Sequence, residues 1–164
     1  LNVAGYDVFK LNEAMLAGDV SRLSRMLDGL RGEGEAAVLV LWAVVEEVRT
    51  LLRIKRGVET GKPLAVLLRE NRVWGPRERL VGPALSRVTE AALEKGLALA
   101  ARLDRQVKGL SGGTPGDHRH DPPPDPWSGL FELAMTVASP VKSAPGVGAR
   151  STAAAPGRPA SRPR

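Results

Sequence analysis

The chain has 164 residues, enough for one domain of ordinary size, and a formal net charge of +6. Of its 24 basic residues, Lys142, Arg150, Arg158, Arg162 and Arg164 lie in an acid-free stretch beyond residue 139. Residues 1–139 therefore carry 19 basic against 18 acidic side chains, and the charge gives no ground for a nucleic-acid-binding fold. The chain has no cysteine, which excludes a disulfide framework or thiolate metal site, and at 4% aromatic its core falls to Leu, Val and Ala, favouring helices over a sheet.

Residues 1–6 read as a connector. Asp7 is placed to cap a helix carrying Val8, Phe9, Leu11, Ala14, Met15 and Leu16, stopping at Gly18. Asp19 caps a second helix with Val20, Leu23, Met26, Leu27 and Leu30 at helical spacing, ending between Gly29 and Gly34. The third, Ala36 to Arg56, contains no Gly or Pro, and its first ten residues are all apolar. That half is expected to be buried on nearly every side, yet is too short to span a bilayer, which needs about 20 residues. Leu39, Leu41, Trp42, Val45, Val48 and Leu52 are its predicted core residues, and Gly57 with Gly61 its predicted stop.

Pro63 opens a short helix through Leu68, and Asn71 to Pro76 form a turn, where Trp74 is either a core plug or an interface anchor, the plug being slightly favoured. The next helix runs to about Arg87, with a kink or break expected at Gly82-Pro83. Thr89 caps a helix over Glu90–Val107, and residues 109–125 read as a flexible linker of breakers and polar residues. Pro126 and Trp127 open a last helix that docks through Leu130, Phe131, Leu133, Ala134 and Val137. The Ala/Pro/Gly/Arg composition of 140–164 cannot bury a core, so that tail is expected to be disordered.

Little here points to catalysis. Within Asp117-His118-Arg119-His120-Asp121, His118 and His120 have metal-ligand types at i, i+2, but their Gly- and Pro-rich flanks favour a solvated loop. The adjacent Glu46 and Glu47 point about 100° apart on a helix and read as partners in surface ion pairs with nearby Arg and Lys. No phosphate-binding glycine motif or nucleophile–base set is present, so catalytic residues, metal and cofactor are all expected to be none. Arg49, Arg53, Arg72, Trp74, Arg77 and Arg79 form a basic cluster with one aromatic, a candidate interface or DNA contact, weighed against a charged face balanced by glutamates.

The order of elements resembles the C-terminal collar domain of the delta subunit of bacterial DNA polymerase III, part of the sliding-clamp loader. The resemblance is carried by the helical pair broken at Gly18-Asp19 and by Gly34-Glu35 before the long apolar helix. It is carried also by Ile54-Lys55-Arg56 at that helix's end, the Arg72-Val73-Trp74 turn and Leu103-Asp104, and it covers about residues 6–138. It implies assembly rather than chemistry: five subunits held by a ring of such domains, with delta prime and gamma/tau as partners and primed DNA held by the whole. The sliding clamp would be met only through an N-terminal domain expected upstream of Leu1, since the chain, starting without Met, is expected to be a fragment of a longer protein. The loop 109–125 is longer than the family pattern, and the tail 140–164 has no counterpart in it.

The reading is thus an all-α bundle of six or seven helices around a central buried helix, residues 1–139, followed by the tail. Its expected role is oligomerisation in DNA replication, with no intrinsic activity but membership, by resemblance, of a DNA polymerase holoenzyme. It is expected in the cytoplasm, away from membranes. The alternative is a small helical nucleic-acid-binding module using the Trp74 region and the tail.

Overall fold

The computed structural model describes residues 3–109 and 125–140. The expectations for the linker, for His118 and His120, and for the tail beyond Pro140 lie outside the described residues. These residues form seven helices: α1 (Val3–Ala17), α2 (Val20–Gly32), α3 (Ala37–Glu59), α4 (Leu64–Glu70), α5 (Pro76–Arg87), α6 (Glu90–Val107) and α7 (Pro126–Ala138). They contain no strand, so the all-α expectation holds.

Local chemistry accounts for most boundaries. Asp19 Oδ1 accepts from the Arg22 amide at 3.0 Å, Thr89 Oγ1 from the Ala92 amide at 3.1 Å, and Asp125 Oδ1 from the Trp127 amide at 3.4 Å, each serving amides that a helix start leaves without partners. Gly18 ends α1 with φ +71°, a conformation only glycine takes at little cost.

Three boundaries differ from the sequence reading. Asp7 lies inside α1, which begins at Val3: nothing in Val3–Tyr6 opposes a helix except Gly5, whose penalty of about 1 kcal/mol is too small to stop one. Gly57 does not end α3, which runs on to Glu59 and closes before Gly61 at φ +87°. Its role is spatial: a Cβ there would stand 2.4 Å from Leu67 Cδ2, so the bare backbone lets α4 lie close on α3. Finally, α5 passes through Pro83 unbroken. Pro83 and Arg79, whose carbonyl loses its usual donor there, are both exposed, so water can take that bond.

Packing follows a closed circuit in which α1 meets α3, α3 meets α6, α6 meets α7, and α7 returns to α1, with α3 and α7 also touching across the middle. Outside this ring, α2 lies on α1 and α7, α4 on α3, and α5 mainly on α1. Leu11, Met15, Leu23, Leu41, Leu51, Ile54, Leu93, Leu103, Leu130 and Leu133 fill the interior. Two long cations close other helices' C-terminal ends: Arg87 Nη2 donates to the Leu16 carbonyl at 2.7 Å, and Lys55 Nζ to that of Leu85 at 3.1 Å. No helix among the described residues is long and apolar enough to cross a membrane.

Candidate assembly surface

The apolar half of α3 is not buried all round. Leu41, Val45, Val48 and Leu52 are buried, but Leu39 is 50% and Trp42 54% exposed. The reason is helical phase. Stepping back from Arg53 through Arg49 and Glu46 by four, three and then four residues leads to Trp42, and a further three to Leu39, so the solvent-facing stripe simply turns apolar near the N-terminus. The same helix has its opposite face in the core and an outer face with two large apolar side chains in water.

The Trp42 side chain lines one depression with Asp104 of α6. The Lys108 ammonium, 2.7 Å away, is the main influence holding the Asp104 carboxyl below its usual range, partly offset by desolvation. Arg49, Ala101 and Arg105 line the same shallow depression, between α3 and α6.

On the other flank of the stripe, Leu39 and the 62% exposed Phe9 of α1 border a groove of about 420 Å³ between α1, α3 and the start of α5. Glu47 and Arg77 stand in its wall. Glu47 is 4% exposed; its Oε1 accepts from Arg77 Nη2 at 3.0 Å, and its Oε2 pairs with the same nitrogen at 2.9 Å. Burial raises its pKa above the ordinary carboxylate value; the attraction and hydrogen bond of Arg77 pull it back, and neighbouring Glu46 adds to the rise. The sequence reading of Glu47 as a surface ion-pair partner is therefore corrected, because its side chain follows Val44, Val48 and Leu51 into the interior.

The predicted basic cluster divides. Arg53 is tied down by three bonds of 3.0 Å, to Glu46, Thr50 and Asn71, and Arg49 lies 4.0 Å from the same Glu46. Arg77 is spent on Glu47 as described. Arg72 and Arg79 are exposed, and no described residue is paired with either. Between them Trp74 is 61% exposed, not a core plug. Val73 fills that place, 2% exposed, because the turn holds Arg72 at φ +54° and Gly75 at φ +67° and so sends successive side chains opposite ways. Arg56, further along α3, bridges Glu90 and Glu94 of α6.

Among the described residues no group of three or more His, Asp or Glu could hold a metal ion. The sequence reading missed Phe9 and Asn12 as surface and groove residues. The available signal was that Phe9 falls outside the stripe set by Leu11, Ala14 and Met15.

The sequence matches, over residues 8–114, the family described as the processivity clamp loader gamma complex, DNA polymerase III C-terminal domain. The chain belongs to this family. It is also similar to DNA polymerase III subunit delta of Escherichia coli strain K12, at 30% identity over 107 residues, 65% of this chain. The resemblance to a delta C-terminal domain read from the sequence is therefore upheld. The matched part spans only 31% of that relative's length. Helix α7 lies beyond the family match yet belongs to the same packed bundle.

Proposed function

We propose that this clamp-loader C-terminal domain serves DNA replication as an assembly module, residues 1–139 holding a delta-type subunit among delta prime and gamma/tau partners. The observation that carries the reading is the apolar stretch of the α3 outer stripe, where Leu39 and Trp42 stand half exposed, with the exposed Phe9 of α1 beside Leu39 across the groove. A family whose description names a clamp loader supports the same reading. The domain acts in the cytoplasm as part of a polymerase holoenzyme, without chemistry of its own, and reaches the sliding clamp only through other parts of the subunit. The test is capture of this chain by the other clamp-loader subunits at low and high salt. An apolar interface predicts capture that survives high salt; loss of capture in salt would replace it with an electrostatic one.

A stand-alone nucleic-acid module is not favoured, since Arg53 and Arg77 are bound to the chain's own glutamates. One observation does support a narrower contact with primed DNA inside the assembled complex. Trp74 is exposed between Arg72 and Arg79, and an aromatic beside free cations can stack on a base while they meet phosphates. Trp74→Ala is then expected to weaken DNA binding by the assembled loader about tenfold or more while leaving subunit capture unchanged.

A further inference from the structure

The depression between α3 and α6 joins an exposed aromatic to arginines whose charge is not spent. Trp42 is 54% exposed, and Arg49 stands two turns further on the same face, about 10 Å along the helix axis. Across from them α6 supplies Ala101, Asp104 and Arg105, around a space of about 600 Å³, room for several side chains rather than one ion. Trp42, Arg49 and Arg105 are all exposed, so an incoming group can reach each of them.

The charges of this rim differ in what they already hold. Glu46 accepts from Arg53 at 3.0 Å, and Asp104 from Lys108 at 2.7 Å. Arg49 comes no nearer to Glu46 than 4.0 Å, beyond hydrogen-bond length. On Asp104 the Lys108 bond dominates, and Arg105 adds the smallest of the influences. Two carboxylates are thus matched by four cations, and neither Arg49 nor Arg105 donates to an acceptor among the described residues. Each of these planar forks fits a carboxylate through two parallel bonds. A nucleic-acid backbone is the poorer match, because its unbroken row of phosphates also meets Glu46 and Asp104. A polypeptide can set carboxylates at the two arginines alone and lay an apolar side chain on the indole.

We propose that this depression receives an acidic segment of a neighbouring clamp-loader subunit, with an apolar side chain resting on Trp42 and an Asp or Glu meeting each of Arg49 and Arg105. The proposal rests on the assembly reading above and adds the chemistry of one contact. The test measures the affinity of this chain for the isolated delta prime and gamma/tau subunits at low and high salt. It compares wild type with Trp42→Ala, with the pair Arg49→Gln and Arg105→Gln, and with the pair Arg72→Gln and Arg79→Gln, which removes the same charge elsewhere. All five side chains are exposed, so the variants are expected to keep the wild-type melting curve. Trp42→Ala loses about thirtyfold in affinity for one subunit at either salt. The Arg49 and Arg105 pair loses about tenfold at low salt and little at high salt, while the control pair stays within about twofold of wild type. In that complex a carbodiimide joins the new amine of an Arg105→Lys variant to an Asp or Glu of the same subunit. If wild type binds and either Trp42→Ala or the Arg49 and Arg105 pair binds equally, the proposal is overturned while the assembly reading stands. If no subunit captures wild type, both fall. If these variants instead weaken binding to primed DNA, or self-association of the chain, the occupant is DNA or a second copy and the proposal is overturned.

Discussion

Glu47 shows how far one residue departs from its neighbour. Glu46 stays in solvent with Arg49 and Arg53, whereas one position on Glu47 is enclosed and depends on Arg77. Because burial raises its pKa in the folded state above 4.5, its contribution to stability is fully present below that value. It is lost as pH rises through the raised pKa, where the folded protein must release a proton the unfolded chain has already given up. Thermal unfolding of wild type and Glu47→Gln from pH 4 to 7 should show the difference in stability moving against wild type as pH rises; a constant difference would mean that Glu47 is not desolvated. The sequence did carry the signal, since Glu47 falls in step with Val44, Val48, Leu51 and Ile54. Reading the two carboxylates as one surface pair obscured it. Trp42 failed the opposite way: size and apolarity suggested a core residue, whereas the phase set by Glu46, Arg49 and Arg53 places it outside. Nothing in the sequence alone says that an apolar residue on an outward phase has a partner to cover it.

Among elements, the helices were legible because capping residues and breakers stand at most of their ends. What was not legible was where glycine makes room between helices. Gly57 and Gly129 look like interruptions in sequence, yet a Cβ at Gly129 would lie 2.2 Å from Leu103 Cδ2 in the contact of α6 with α7. Gly29 has nothing within 4 Å of the same position. Gly129→Ala should therefore destabilise the domain by about 1 kcal/mol, the overpacking of buried Leu103 exceeding the gain in helix propensity. Gly29→Ala should stabilise it by about 0.5 kcal/mol. Denaturant midpoints of the two variants should move in opposite directions; a shift of the same sign would show that α6 and α7 have slack at their crossing.

For the whole molecule, the closed circuit of α1, α3, α6 and α7 makes the last helix structural rather than accessory. Leu133 is fully buried, and Leu133→Ala is expected to cost about 3 kcal/mol, read as a single cooperative shift of the entire unfolding curve. A separate early melting step confined to α7 would instead mark a loosely docked appendage. This part of the architecture was only half readable: the sequence suggests a helix that docks, but its contacts with α1, α2, α3, α5 and α6 follow from topology.

That topology also bears on synthesis. The helix that completes the circuit is the last of the seven to leave the ribosome, separated from α6 by residues 108–125. Until Ala138 emerges, the faces of α1, α2 and α6 that α7 covers have no cover, so the nascent chain presents its stickiest surface late. Closure of the circuit must wait for α7, and a pause in translation between α6 and α7 would prolong that exposure.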